Sequence, residues 1–309
     1  MKSIRQISMN RIRNTICVCL MGLWVFPVTA QETPATEPEP TPSVTPVKRT
    51  FENAILVNNQ TVETNSKNEL GMLIQHRFGV IEDGTDLWGI YAPANIRLGV
   101  NYGITKDLTV GLGVTKSMMQ YDLEWKYKIL RQSKNGGSPV TLTYYGDLAR
   151  SEAGSSLFKN QKNELVESNR LTFYHELMVA HKLNSEMSFQ ASLNYSHKNI
   201  TDSMILTHDR IGVSIMGRYK FSPQSSVYFA YNQNIMSLDN DLKPLDNPKD
   251  PLKPDFTIGY EVSTGSHQFQ VFLCSADGIL NQDIRFNNPN DFFNKQMLIG
   301  FNITRQWGF

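Results

Sequence analysis

The sequence predicts an all-β protein: a twelve-stranded antiparallel transmembrane β-barrel that follows a cleaved signal peptide and a disordered Pro/Thr/Glu leader. Three observations predict this fold class. The N-terminus reads as an export signal, apolar and polar residues alternate from residue 66 onward, and the chain ends on an aromatic residue, Phe309. Successive side chains of a strand point to opposite faces, so the alternation gives one apolar and one polar face. A closed sheet with an apolar exterior satisfies its backbone hydrogen bonds inside a bilayer.

The first thirty residues are predicted to be a signal peptide. Residues 1–15 carry four basic residues and no acid, residues 16–27 form an apolar run, and Val28-Thr29-Ala30 supplies small residues for cleavage after Ala30. The four basic residues are Lys2, Arg5, Arg11 and Arg13. Their loss leaves 26 basic residues against 29 acidic ones, which argues against a nucleic-acid partner.

Composition argues against two further classes, a polytopic helical membrane protein and a fold held by intramolecular disulfides. Beyond the signal, no apolar run reaches the ~18 residues of a helical membrane span, and 40% of the 309 residues are hydrophobic. Cys17 and Cys19 precede the cleavage site, so only Cys274 remains and no intramolecular disulfide can form.

The next two segments precede the barrel. Residues 31–50 are rich in proline, threonine and glutamate and form a disordered periplasmic leader, read as a spacer rather than a docking arm. Residues 51–65 are a periplasmic segment or a partial plug of the lumen. In the plug reading, Phe51, Ala54, Ile55 and Asn58 share one face of a helix.

The barrel occupies residues 66–309. In Tyr121–Ile129 every odd residue is apolar or aromatic and every even residue is charged. Similar alternation predicts strands at 66–78, 94–103, 108–116, 120–130, 139–149, 169–183, 187–197, 208–221, 226–235, 255–263, 267–275 and 295–309. Short and long connections alternate, with 117–119 as the exception, which is typical of short periplasmic turns and long outer loops. The even number of strands places both termini in the periplasm.

Aromatic residues favour a barrel over a soluble β-sandwich, which would bury its apolar faces. They cluster at the predicted periplasmic ends as Tyr102, Tyr127, Tyr219, Phe221, Trp307 and Phe309. Others lie towards the outer ends: Phe78, Tyr121, Tyr144, Phe173 and Tyr195. The last strand presents Phe301, Ile303, Trp307 and Phe309 on one face, and we expect these residues to act as the insertion signal for the barrel assembly machinery.

The first strands also carry a family resemblance. Its residues are His76-Arg77-Phe78-Gly79, Asn95 to Gly99, Tyr102-Gly103-Ile104-Thr105, Leu108 to Gly111, and Tyr121-Asp122 to Lys128 with Arg131-Gln132. In these segments the sequence resembles the membrane-bound beta barrel family, domain of unknown function 5777, of Gram-negative outer membranes. The resemblance covers roughly residues 50 to 309. It implies a barrel in the outer membrane in contact with its lipid, and it implies no chemistry.

Signatures of catalysis, metals and cofactors are missing from the sequence, so we expect no enzyme. His175-Glu176 begins like a metalloprotease motif, but Val179 stands where the second histidine is needed. A lipid-facing hydrolase is the open alternative, although strand arithmetic pairs outward His175 with Tyr195 and His181 with Phe189, neither of which is a nucleophile. Acidic residues in the loop 236–254 are interleaved with lysines, so a solvated loop is preferred to a calcium site.

The lumen should carry both signs of charge. The predicted lumen-lining residues are Arg77, Arg97, Gly99, Gly111, Gly113, Asp122, Glu124, Lys126, Lys128, Asp147, Arg170, Glu176, Arg218 and Glu261. Tight turns would place Gly99 opposite Gly111, and Arg97 and Glu124 on either side of Gly113. A salt bridge over Gly113 is then expected, because glycine leaves room for long side chains to meet.

Two functions fit these observations. The predicted one is a passive channel for small polar solutes, because the lumen is wet and of mixed charge. The alternative is a non-conducting barrel that acts as a scaffold or as the partner of an envelope protein. Twelve strands lie between filled eight-stranded and open sixteen-stranded barrels, so strand number does not separate the two.

Overall fold

The computed structural model describes residues 44–81, 87–160, 162–200, 207–237, 243–244 and 252–309. The predicted signal peptide, most of the leader and most of the acidic loop 236–254 lie outside these residues.

Twelve long strands form the wall. They are β1 (Glu69–Val80), β2 (Asn95–Gly103), β3 (Leu108–Thr115), β4 (Gln120–Leu130), β5 (Thr141–Ser151), β6 (Leu171–Lys182), β7 (Met187–Lys198), β8 (Asp209–Lys220), β9 (Ser225–Ser237), β10 (Asp255–Thr264), β11 (His267–Cys274) and β12 (Leu298–Gly308). Each strand pairs antiparallel with its chain neighbours, and β12 pairs with β1, so the sheet closes. The predicted barrel is confirmed, with every strand end within three residues of its predicted position.

The outer face of the wall is apolar. Buried and more exposed residues alternate along the strands, and the exposed positions include Leu112, Leu193 and Val271. Such a surface is costly in water and suits contact with lipid chains. None of the helices among the described residues is long and apolar enough to cross a membrane.

The two ends of the barrel differ. The N-terminal end, where β1 begins and β12 finishes, has the shorter connections, such as 104–107, 183–186 and 265–266. The opposite end has the longer ones, such as 152–170 and 275–297. One aromatic was misplaced: Tyr144 pairs with Tyr127 and therefore lies at the same level, not towards the outer ends.

The predicted register of β2, β3 and β4 is wrong by two residues. Gly99 faces Gly113 rather than Gly111, and Gly113 faces Asp122 rather than Glu124. The β2–β3 turn is wider than expected, because Thr105 Oγ1 accepts hydrogen bonds from the backbone of Asp107 and Leu108. In the β3–β4 turn, two methionines adopt positive φ values that alternation does not reveal. By contrast, the pairing of His175 with Tyr195 and of His181 with Phe189 is confirmed.

Residues 50–65 run inside the barrel as a short hairpin, not as the helix suggested by the spacing of their apolar residues. The hairpin pairs Ile55–Leu56 with Asn59–Gln60. Its turn contains Val57 at a φ of 59°, a left-handed conformation that is costly for a β-branched residue. The spacing of the apolar residues indicated a helix incorrectly, because the segment is buried on all sides and its apolar residues do not mark one face.

A second element enters from the opposite end. The β11–β12 connection contains the helix α1 (Asn281–Asn287), and six of its seven residues are buried. The connection predicted to be an outer loop therefore sends part of its length into the lumen.

Candidate functional site

The candidate site is the lumen, whose wall is lined with charged and amide side chains. The charged groups that the strands and α1 direct inward are ten basic residues, Arg77, Arg97, Lys126, Lys128, Lys182, Lys198, Arg210, Arg218, Lys220 and Arg285, and seven acidic ones, Asp122, Glu124, Asp147, Glu176, Asp255, Glu261 and Asp283. Arg49 and Glu69 form a separate pair at the N-terminal mouth, with 3.9 Å between Nη2 and Oε2. Buried charges of this number require partners, because an uncompensated charge costs several kcal/mol.

Arg97 anchors the first cluster. Its Nε donates to Asp122 Oδ1 at 3.0 Å, its Nη2 also contacts Asp122, and Nη1 donates to Gln75 Oε1 at 3.2 Å. The distance from Nη2 to Glu124 Oε1 is 3.6 Å. The guanidinium of Arg97 on β2 thus reaches across β3 to β4, where Asp122 is its main partner.

Glycines make this crossing feasible. A Cβ atom at Gly113 would lie 2.5 Å from Arg97 Nη2 and 2.5 Å from Asp122 Oδ1. One at Gly99 would lie 2.8 Å from Arg97 Nη1, and one at Gly111 would lie 2.6 Å from Glu124 Oε1. The three glycines therefore form a floor on which the charged side chains lie.

The acidic side of this cluster extends to β5. Carboxylate oxygens of Asp122, Glu124 and Asp147 lie within 4.8 Å of one another. The Tyr145 hydroxyl lies 2.8 Å from Glu124 Oε2 and 3.2 Å from Asp147 Oδ2, and Gln282 of α1 donates to Asp147 Oδ1 at 2.6 Å. Since the Arg97 guanidinium already contacts this group, the geometry is that of an ion-pair network.

The wall lysines of β4 hold the inner segment. Lys126 Nζ donates to the carbonyl of Ala54 at 2.7 Å, and Lys128 Nζ lies 3.2 Å from Glu63 Oε2. The other oxygen of Glu63 accepts a hydrogen bond from the backbone N–H of Thr50 at 2.7 Å. Two strand lysines therefore bind both arms of the hairpin.

A second ionic contact involves Glu52 and β8. Lys220 Nζ lies 2.7 Å from Glu52 Oε1, and Arg218 Nη2 lies 3.6 Å from the same oxygen. Burial raises the pKa of Glu52, but its hydrogen bond with Lys220 and the nearby positive charges outweigh burial and hold the pKa below its ordinary value. Arg218 also donates to Glu261 Oε1 at 3.0 Å, and Glu261 accepts from Gln270 at 2.9 Å.

The tip of the hairpin meets Arg77. This side chain is fully buried and donates to Asn58 Oδ1 at 2.6 Å and to Asn302 Oδ1 at 3.0 Å. Its guanidinium carbon also lies 4.5 Å from the centre of the Phe272 ring. The apolar parts of the tip, Leu56 and Val57, belong to a buried cluster with wall residues such as Phe272.

Asn232 of β9 joins the two inner elements. It exchanges two hydrogen bonds with Asn59 of the hairpin, at 2.7 and 3.0 Å. Its Oδ1 also accepts from Arg285 of α1 at 3.2 Å. The hairpin and α1 therefore meet within the lumen. The spaces beside the hairpin are about 20 and about 10 Å³, enough for single water molecules.

Two residues of the predicted lining differ in their roles. Glu176 points inward and bonds to Ser192 of the neighbouring strand rather than to the hairpin. Arg170 precedes β6 and binds the β5–β6 connection, where it donates to the carbonyls of Ser151 and Ala153 at 3.0 Å. It lines a cavity of about 460 Å³ next to α1, not the strand wall, because β6 begins one residue later than Arg170.

Several lumen residues are absent from the predicted lining. Arg210 lies in the same alternating register as Arg218, so extending the pattern along β8 would have found it. Gln282, Asp283 and Arg285 belong to a helix that enters the lumen, and no local signal distinguishes that helix from an outer loop.

Three residues of the predicted insertion signal lie on β12, and Phe309 follows its last residue. Phe301 stacks on His76 of β1, with 5.0 Å between ring centres, and Arg305 covers the Trp307 ring at 4.8 Å. Ile303 pairs with Ile74. The Phe309 side chain is 84% exposed, so it adds little to the packing of the barrel itself.

The two outward histidines weighed for a lipid-facing hydrolase, His175 and His181, contact a tyrosine hydroxyl and a backbone carbonyl. His175 Nδ1 lies 2.7 Å from the Tyr144 hydroxyl, and His181 Nδ1 lies 2.8 Å from the carbonyl of Pro139. Neither contact brings a serine or a cysteine of the described residues to an imidazole.

The family model described as a membrane bound beta barrel domain, domain of unknown function 5777, matches residues 51–307. The chain belongs to this family. The matched range includes the hairpin as well as the wall, so both are parts of the family's domain. No curated protein matches the chain.

Solved structures with a similar course of the chain include two porins and an outer membrane channel. A NanC porin is 10% identical with a TM-score of 0.46, and the alignment covers 78% of this chain and 100% of the porin. A KdgM porin is 9% identical with a TM-score of 0.42, covering 78% and 99%. An outer membrane channel from Pseudomonas putida F1 is 12% identical with a TM-score of 0.46, covering 79% and 97%.

Proposed function

We propose that this protein is an outer-membrane channel for small polar solutes whose lumen is closed at rest by residues 51–65, hereafter the plug. The observation that carries the proposal is that the lumen is filled by a separate segment, which is joined to the wall by non-covalent contacts. At this level, the inward wall side chains described above reach the plug itself or strands no more than two places away in the sheet.

The bore that the plug fills is wide enough for solutes. Twelve strands spaced about 4.8 Å apart and tilted by about 40° give a backbone circumference of roughly 75 Å and a diameter of roughly 24 Å. Side chains reaching about 6 Å inward from both sides leave roughly 12 Å. Displacement of the plug would therefore open a passage for small hydrated molecules, narrowed at the opposite end by α1.

The plug is held by two kinds of contact. Phe51, Leu56, Val57 and Val62 are buried to 1% exposure or less. Burial of such side chains contributes about 1.5–3 kcal/mol each. The amides and lysines of the wall add directional hydrogen bonds to backbone atoms, for example from Thr143 Oγ1 to the Val62 carbonyl at 3.0 Å. Replacing apolar anchors with polar residues should therefore release the plug while the closed sheet stays intact.

The test is conductance in planar bilayers. The double variant Leu56→Gln, Val62→Gln removes two anchors and should weaken seating by about 3–6 kcal/mol, which raises the ratio of open to closed channels by roughly 10² to 10⁴. The matched control is Val44→Gln, because Val44 lies in the leader just before the plug and is exposed. Frequent openings in the double variant, with rare openings in the parent and the control, support the proposal.

The opposite result favours the scaffold function. If a folded double variant conducts no more than the parent, the barrel is not a channel that this segment closes, and a non-conducting scaffold or partner subunit is the better description.

We also propose that both termini face the periplasm, with the signal peptide ending at residue 30 and the leader at residue 50. The short connections at the N-terminal end of the barrel support this orientation, because outer-membrane barrels have short periplasmic turns. Assembly would depend on the exposed aromatic residue at the end of β12. We expect no enzymatic activity.

A further inference from the structure

The wall carries a band of positive charge at the level of the plug. It consists of Lys126, Lys128, Lys182, Arg218 and Lys220, here called the basic belt. All five contact plug residues or the residues just before them, and Lys182 Nζ, for example, donates to the carbonyl of Arg49 at 2.9 Å. Because these contacts reach one short hairpin, the five cations lie at one level of the lumen.

Two acidic wall residues lie beside the belt, Glu261 and Glu176. Glu176 is in register with Lys126, because both pair with Tyr145, and it accepts a hydrogen bond from Ser192. Glu261 is bonded to Arg218 of the belt at 3.0 Å. Deeper in the lumen, Asp255 and Arg77 both bind Asn58 at the hairpin tip, and Arg97 contacts Asp122 and Glu124 of the acidic cluster. The described wall with α1 has ten inward basic groups against eight acidic ones, Glu69 included, so its net charge is positive once the plug is removed from the count.

The plug supplies the missing negative charge. Its only acidic residues among positions 51–65 are Glu52 and Glu63, and both carboxylates bind the belt, Glu52 at Lys220 and Arg218 and Glu63 at Lys128. Backbone carbonyls of Ala54 and Arg49 complete the coordination of Lys126 and Lys182. In the closed lumen, the two plug carboxylates thus occupy positions beside the belt cations that dissolved anions would fill if the plug were displaced.

We propose that the solutes passed by the open channel are anions, small carboxylates in particular, and that the plug closes the lumen by presenting two carboxylates to the same belt. This inference rests on the proposed channel function and adds the class of solute. A belt of lysine and arginine in a confined lumen raises the local concentration of anions and repels cations. It also explains why the plug is acidic where it meets the wall.

The experiment measures the ion selectivity of the open channel. The full chain carrying Leu56→Gln and Val62→Gln is placed between unequal potassium chloride solutions, and the zero-current potential is recorded. We expect chloride to be several-fold more permeant than potassium. Replacing potassium chloride by potassium succinate on one side tests a dicarboxylate directly, and a measurable succinate current is expected.

Belt variants link the selectivity to its source. In the same background, Lys128→Gln with Lys220→Gln should bring the ratio of chloride to potassium permeability close to one. The matched control is Lys67→Gln with Lys134→Gln, which removes two exposed lysines at the same end of the barrel and should leave the ratio unchanged.

The outcomes separate the two proposals. An open channel that prefers potassium, or one whose chloride preference survives the loss of the belt lysines, overturns the anion inference and leaves the channel function in place. If no variant designed to displace the plug conducts, the channel function is overturned, and the anion inference is overturned with it.

Discussion

Gly113→Ala should destabilise the barrel far more than the addition of one methyl group suggests. Gly113 lies on the inner wall between β2 and β4, beneath the Arg97 guanidinium. The new Cβ would stand 2.5 Å from Arg97 Nη2, 2.6 Å from Arg97 Nε and 2.5 Å from Asp122 Oδ1. Side-chain contacts of real Cβ atoms are longer than this, so the ion pair must move off the wall.

The magnitude follows from burial. Arg97 is 2% exposed and Asp122 is 3% exposed. Their ion pair therefore has no route to solvent, and separating a buried pair costs about 3–5 kcal/mol. That corresponds to a factor of roughly 100 to 4,000 in the equilibrium constant for unfolding.

The assay is urea unfolding of the purified barrel in detergent, followed by gel mobility. A folded barrel migrates faster than the boiled chain, so the fraction folded can be read at each urea concentration. The control is Gly308→Ala in β12, where a Cβ would have nothing within 4 Å. The control should shift the free energy of unfolding by less than about 0.5 kcal/mol.

One result would refute the reasoning. If Gly113→Ala and Gly308→Ala unfold at the same urea concentration, with equal slopes, then the Arg97–Asp122 pair either moves without cost or does not lie over Gly113. A large effect of Gly113→Ala that vanishes when Arg97 is also replaced by alanine would locate the cost in this contact.

Three further predictions concern assembly, pH and the meeting point of the inner elements. Deleting Phe309 should lower the amount of barrel in the outer membrane, measured in membrane fractions, while unfolding of the purified protein stays unchanged, since the side chain is 84% exposed. Because the pKa of Glu52 lies below its ordinary value of 4.5, its ionised form stabilises plug seating above that pH and loses this effect as the pH falls through the lowered pKa. Channel opening should therefore increase on acidification below pH 4.5, and less so in Glu52→Gln; equal pH profiles would contradict this. Asn232→Ala should lower the free energy of unfolding by about 1–3 kcal/mol in the urea assay, because Asn59 and Arg285 lose a buried partner, whereas Asn135→Ala on an exposed loop should not.

Much of the fold could be predicted because it depends on the two-residue period of the strands and on which strand face carries the charged residues. Alternation along β4 assigns Asp122, Glu124, Lys126 and Lys128 to one face, and in the structure all four are buried on the inner wall. The twelve strands follow from the same rule, since each must present an apolar face to lipid and a polar face to the lumen.

The pairing register was less accessible. Turns set the register of a hairpin. The β2–β3 turn uses a hydrogen bond to a threonine side chain, and the β3–β4 turn uses two methionines with positive φ values. Neither feature has a strong sequence signature. An error of two residues keeps every side chain on its correct face, so the residues of the Arg97 cluster could be named although their opposite partners were wrong.

By itself, the sequence determined that this chain forms a barrel with a lumen of mixed charge, because strand periodicity is a local property. Only the tertiary structure decided what fills the lumen. The plug and α1 are short, and each is held by residues far away in the chain, as Glu63 is by Lys128 and Gln282 by Asp147. Their conformations depend on being enclosed by twelve strands, so no window of neighbouring residues contains the information that places them there.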